Sequence, residues 1–259
     1  MLAYTTHGSP SRPAFCLLHG FMGASDDWTT VVDGLTPHAF CITVDLPGHG
    51  ASTDAPPWAF CMEGVTQALA DVLDDAGVRQ CTLVGYSMGG RIALYFARYH
   101  PNRVRRLVLE SASPGLDSAQ ARAERRAVDA DRADAIRDDL TAFLEDWYRM
   151  PLFASLERHG LVEDMVARRR QNDPEALARV LDGLGTGAQP SLWPELSEIE
   201  APTLLLTGAL DPKYVDRTAE MTFRNPSMRR VVVPEAGHNV HAERPQAFVS
   251  HLVHSTAHH

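Results

Sequence analysis

Six short apolar runs constrain this chain more than anything else in it: Phe15 to Leu18, Cys41 to Val44, Cys81 to Val84, Val104 to Leu109, Thr203 to Thr207 and Arg230 to Val233. Helical stretches separate them, among them Thr66 to Leu73 and Arg91 to Tyr99, and Pro245 to Val253 closes the series with another. Near-continuous hydrophobic strands alternating with helices specify an α/β protein, its central sheet mostly parallel and covered by helices on both faces. At 259 residues the chain can form one large domain, or a core domain with an insertion.

The alternation fails between about Pro114 and Pro190, a stretch rich in Ala, Arg, Asp and Glu with helical composition and no strand pattern. Asp117 to Asp138 has many alanines and almost no bulky apolar residue, which excludes a deep core helix. Trp147, Tyr148, Leu152, Phe153 and Leu156 then form an aromatic-aliphatic cluster that needs a surface to pack on. The expected organisation is a core of residues 1–113 and 191–259, with residues 114–190 as a helical lid over the carboxyl ends of the strands.

Composition narrows the function. Hydrophobic residues at 44% and charged residues at 22% are ordinary for a globular protein, and no apolar run approaches the ~20 residues of a membrane span. The segment MLAYTTHGSPSRP holds no apolar signal core, from which we expect a cytoplasmic protein with no membrane partner. Cys16, Cys41, Cys61 and Cys81 lie far apart, three of them in strand-like runs, and are expected to be buried, reduced thiols. A formal charge of -9 argues against nucleic acid. Lys213 is the only lysine, so every other basic side chain is an arginine; an acidic protein that takes an anionic substrate must concentrate such cations locally.

The segment Gly85-Tyr86-Ser87-Met88-Gly89 directly follows one apolar run and precedes a helix. A sharp strand-to-helix turn strains the residue at its bend, and the flanking glycines remove side chains that would clash there, so the Ser87 hydroxyl stands exposed at the carboxyl edge of the sheet. A serine alone is a weak nucleophile or base and needs a histidine oriented by a carboxylate. Asp211 stands just past the fifth run in LLTGALDP, and His238 just past the sixth in EAGHNVH, giving the order Ser, Asp, His. His241 is read as a packing or hydrogen-bonding residue; with no third ligand at a recognisable spacing, the His238/His241 pair is not a metal site. After the first run, LLHGFMG places the Phe21 N–H beside that of Met88, two donors for a developing oxyanion. The rings of His19 and of His49 in VDLPGHGAS are read as structural. Arg91 follows Ser87 by one helical turn, which brings its guanidinium near the hydroxyl. Arg122, Arg125, Arg126 and Arg132 share a polar helix with Glu124, Asp129 and Asp131, where most arginines are simply solvated.

LLHGFMG, VDLPGHGAS, LVGYSMGGRIAL, LTGALDPK and AGHNVHAERP together resemble, in content and order, the α/β-hydrolase superfamily. Ser87 separates the chain from the dehalogenases and epoxide hydrolases that use an aspartate nucleophile. ESASPGL, RAERR and the run DWYRMPLFASL further resemble the 2-succinyl-6-hydroxy-2,4-cyclohexadiene-1-carboxylate synthases of the menaquinone pathway. The resemblance implies a lyase that takes a proton from 2-succinyl-5-enolpyruvyl-6-hydroxy-3-cyclohexene-1-carboxylate and expels pyruvate without a dissociable cofactor. It assigns carboxylate binding to Arg91, Arg125 and Arg169, and pocket-lining positions to Tyr86 and Trp147; Phe153 is read as an apolar wall. The expected partner is a small polyanionic substrate, with no protein partner implied. Two alternatives share the fold and triad: a serine hydrolase acting on a carboxylic ester or C–C bond of a small acidic substrate, and a receptor that has kept the fold for ligand binding.

Overall fold

The computed structural model describes residues 1–256, so His258 and His259 lie outside it. Seven strands form one sheet: β1 (Tyr4–His7), β2 (Ala14–Leu18), β3 (Phe40–Val44), β4 (Cys81–Tyr86), β5 (Val104–Glu110), β6 (Thr203–Gly208) and β7 (Arg229–Val233). Their spatial order is β1-β3-β2-β4-β5-β6-β7, with β1 antiparallel to β3 and all other neighbours parallel. The apolar runs mark the six parallel strands. β1 has no such run, because YTTH lies at the sheet edge, where polar side chains remain wet and discourage further pairing.

Eleven α-helices are described: α1 (Thr29–Leu35), α2 (Met62–Asp75), α3 (Met88–Tyr99), α4 (Ala119–Asp138), α5 (Leu140–Tyr148), α6 (Ala154–Arg158), α7 (Val162–Arg169), α8 (Pro174–Leu184), α9 (Pro212–Arg224), α10 (Val240–Glu243) and α11 (Pro245–Thr256). Alternation along each central strand feeds two cores. Cys16, Ile42 and Leu83 join Leu69, Leu73, Ile92 and Phe96 of α2 and α3 on one face. Leu17, Val84 and Leu206 join Leu35 of α1 and Phe248 and Leu252 of α11 on the other.

All of α4 to α8 falls between β5 and β6. α4 buries only Asp129, Ala133 and Ile136, and packs on α8. A third apolar cluster, including Leu144, Tyr148, Phe153, Leu156, Met165 and Leu177, seats these helices on Met22 of the loop after β2. One cysteine departs from expectation. Cys16, Cys41 and Cys81 are buried, whereas Cys61 is exposed. It stands immediately before α2, where its Sγ accepts the Gly64 N–H at 3.4 Å, so its neighbours Phe60 and Met62 face the core instead. Burial raises the Cys41 thiol to about 12, which keeps it protonated and inert. Among the described residues no helix is long and apolar enough to cross a membrane.

Candidate active site

The parallel strands deliver three loops to one edge of the sheet. β4 runs into α3 through Ser87, held at φ 49° and ψ -107°. A non-glycine residue there carries about 1–3 kcal/mol of strain, tolerated only where the surroundings fix it. They do so here: the Ser87 N–H donates to Glu110 O at 2.9 Å, and a Cβ on Gly89 would stand 2.3 Å from Leu18 O. The tight turn needs glycine at that position.

His238 follows β7 and is buried, with Nδ1 2.7 Å from Asp211 Oδ2 and Nε2 3.2 Å from Ser87 Oγ. Asp211 is also the N-cap of α9, its Oδ1 accepting the Tyr214 N–H at 3.2 Å, so one carboxylate both starts a helix and orients the imidazole. Two buried acids fix the histidine loop. Glu243 Oε2 accepts the Gly237 N–H at 2.7 Å and Glu243 Oε1 takes the Ser155 hydroxyl at 2.9 Å, tying the loop to α6. Glu110 accepts the His241 N–H at 2.9 Å and lies 2.7 Å from His241 Nδ1, while the His241 ring stacks on Trp28 at 4.2 Å. His241 is thus turned away from His238, and among the described residues no group of His, Cys, Asp and Glu could hold a metal ion.

The loop after β2 is pinned by imidazoles. His19 Nε2 accepts the Leu46 N–H and His49 Nε2 the Met22 N–H, each at 3.0 Å. Gly23 N–H is taken by Gly20 O at 3.0 Å. Its two successors are thus engaged within the loop, and Phe21 lies beside Ser87 in the cavity wall. Met88 opens α3, and first-turn N–H groups have no intrahelical acceptor. Both residues line the same cavity as Ser87.

Two cavities meet at Ser87, Phe21 and Trp147. The larger, about 480 Å³, is lined by Arg91, Arg125, Arg132, Lys213 and Tyr214; the smaller, about 40 Å³, by Tyr86, Phe153 and Arg169. The residues singled out in the sequence are therefore divided between two lobes around one serine. Arg91 is buried against neutral acceptors only, Gln189 Oε1 at 2.8 Å and Leu184 O at 3.0 Å. Burial lowers its pKa to about 10, because no acid pairs with it directly to offset the loss of water. Arg125 Nε donates to Asp129 at 2.7 Å.

Of the three consecutive arginines, Arg169 turns inward. Its Nη1 and Nη2 make a bidentate pair with Asp27 at 2.9 and 2.6 Å, and Arg168 reaches the same carboxylate at 2.9 Å. Burial alone would lower Arg169, but Asp27 more than compensates and holds its pKa above the usual arginine value. Arg170 faces Glu145 at 3.8 Å instead. The sequence reading did not find Asp27, the Glu110–His241 pair, or Tyr214, whose ring lies 4.8 Å from that of His238. Asp27 and Arg169 are 142 positions apart, and no local pattern joins them.

The sequence pattern of the alpha/beta hydrolase fold matches residues 13–245, and the chain belongs to that family. Within it the likeness is narrower. The chain is 42% identical, over 95% of its length and 91% of the relative's, to a Bacillus subtilis (strain 168) protein provisionally named 2-succinyl-6-hydroxy-2,4-cyclohexadiene-1-carboxylate synthase. A Serratia proteamaculans (strain 568) protein of the same name is 34% identical, with 95% of this chain and 93% of that one covered. The solved structure of MenH from S. aureus superposes with a TM-score of 0.89 at 32% identity, covering 96% of both chains. The chain belongs to the family of these synthases.

Proposed function

We infer that the protein is a pyruvate-eliminating carbon–oxygen lyase that makes 2-succinyl-6-hydroxy-2,4-cyclohexadiene-1-carboxylate in menaquinone biosynthesis. The observation that carries this reading is a serine–histidine–aspartate relay opening into a cavity ringed by arginines, in a chain of net charge -9. The substrate, 2-succinyl-5-enolpyruvyl-6-hydroxy-3-cyclohexene-1-carboxylate, bears three carboxylates. Comparing substrate and product fixes the bonds that change. The C2–H bond breaks and its electrons form C2=C3. The C3=C4 pair shifts to C4=C5, the C5–O bond breaks, and the departing enolate takes a proton to become pyruvate.

Asp211 holds His238 in the tautomer whose Nε2 accepts the Ser87 proton, and Ser87 Oγ takes the proton from C2. C2 is α to the succinyl ketone, so charge delocalises onto that oxygen as a dienolate. Phe21 N–H and Met88 N–H hold it, each donor contributing on the order of 3 kcal/mol at the transition state. Arg91 and Arg125 grip carboxylates; Arg169, whose two Nη atoms are held by Asp27, adds its charge to the smaller lobe without a free fork. Tyr86, Trp147 and Phe153 shape the ring pocket, and the α4–α8 helices act as a lid that keeps water out. Ser87→Ala should lower kcat for pyruvate release by at least about a thousandfold with little change in fold. A variant that released pyruvate at the wild-type rate would remove serine from the mechanism. The same 3.2 Å Ser87–His238 contact also suits ester hydrolysis. A stoichiometric acyl-enzyme burst with an activated ester, without pyruvate release from the cyclohexene substrate, would transfer the assignment to that reaction.

A further inference from the structure

Two cations that line the larger cavity have no role in the mechanism above. Arg132 lies on α4, one turn past Asp129, with its guanidinium 5.1 Å over the Trp147 ring. The nearest acid, Asp129, is 3.7 Å away and already committed to Arg125 at 2.7 Å and to the Gly187 N–H at 3.2 Å. Lys213 lies on α9, two residues past Asp211; it makes no ion pair among the described residues and rests 5.7 Å from its neighbour's ring, Tyr214. Both line that cavity, Arg132 carried by α4 of the helical segment and Lys213 by α9 after β6. Burial and then the field of Arg125 lower the pKa of both groups, and Arg132 is among the charges felt by Lys213. Like charges facing each other across an opening repel unless an anion lies between them.

The substrate supplies such an anion. C2, which faces Ser87 in the mechanism above, and C5, which bears the enolpyruvyl arm, are opposite corners of a six-membered ring. With C2 at Ser87 Oγ, the arm points away from the triad, into the cavity that Arg132 and Lys213 line. We propose that Arg132 and Lys213 clamp the enolpyruvyl carboxylate, making them the residues that distinguish the substrate from the dicarboxylate product. A lysine suits this position, because a single-point contact releases a leaving group more readily than a guanidinium fork. Binding the arm also bridges α4 to α9, drawing the helical segment down only when the complete substrate is present.

The proposal rests on the elimination assigned above, and the experiment separates the two. Wild type, Arg132→Gln, Lys213→Gln and the double variant are assayed for pyruvate release, and each is titrated with 2-succinylbenzoate as a competitor, an aromatic analogue that keeps the succinyl and ring carboxylates but lacks the arm. Each single change should raise KM about tenfold with kcat within threefold, leave the inhibitor constant within twofold, and be rescued by Arg132→Lys or Lys213→Arg. Because both cations hold one group, the double variant should lose less than the product of the single effects. Unchanged KM, or an inhibitor constant that rises in parallel with KM, overturns the clamp alone. A wild-type enzyme that releases no pyruvate overturns the elimination and the clamp with it.

Discussion

Protonation of His49 should loosen the loop that carries Phe21. The ring is wholly buried, with Nε2 accepting the Met22 N–H at 3.0 Å and Nδ1 2.9 Å from Pro47 O. One nitrogen must accept and the other donate, which only neutral imidazole does. Burial, and then the field of His19, hold its pKa well below the ordinary value of 6.5. Below that value the unfolded chain binds a proton that the folded chain refuses. Stability from this ring is therefore complete well above pH 6.5 and declines as the pH falls below it, by on the order of 1 kcal/mol per pH unit at most. His49→Gln retains an acceptor for Met22 and cannot titrate. Urea unfolding followed by tryptophan fluorescence at pH 7.5 and 5.5 should show wild type losing on the order of 1 kcal/mol more than the variant across that interval. Identical pH slopes in the two proteins would refute the account of a neutral, loop-pinning imidazole.

Removing Asp27 should be costly, because Arg169 is left buried with no anion: Asp27→Ala is expected to lose about 3–5 kcal/mol in urea unfolding, and Arg169→Met added to it should recover much of that. A loss below about 1 kcal/mol would show that the pair is solvated. Gly89→Ala places a Cβ 2.3 Å from Leu18 O and 2.4 Å from His19 O, both backbone atoms that cannot swing aside. It should cost at least about 2 kcal/mol and abolish pyruvate release, and a fully active variant would mean that the elbow yields more than its packing suggests.

The sheet was legible where burial on both faces leaves a run of apolar residues, as in CITV of β3, all of it buried. It was illegible at β1, where an edge strand has nothing to bury, and the expected burial of Cys61 failed because that thiol caps a helix. Ser87, Asp211 and His238 could be read because each stands at a fixed offset after a strand, and parallel strands bring those offsets to one edge. Arg132 and Lys213 could not. On a helix as polar as α4 a cavity-facing arginine looks like a solvated one until the opposing wall is known. Glu110 closes an apolar strand, and only the loop folded back from β7 reveals that its carboxylate holds His241.

The relay itself does not choose between hydrolysis and elimination. Ser87 Oγ at 3.2 Å from His238 Nε2 can attack a carbonyl or accept a carbon-bound proton; what decides is the atom held opposite the oxygen and the charge around it. The larger cavity is lined by Arg91, Arg125, Arg132 and Lys213 and by one carboxylate, Asp211, which His238 already engages; Arg125 is itself paired with Asp129 outside that lining. Such a surplus of cations anchors carboxylates at the periphery and leaves the ring carbon over the serine. The same field favours any anion that forms there, the dienolate as well as the tetrahedral oxyanion of ester hydrolysis, so the cations select a polyanionic substrate rather than the charge that develops over the serine. An esterase for neutral esters built on this frame would need those cations removed or paired. The chemistry is thus decided by the wall of the cavity, with the triad common to both outcomes.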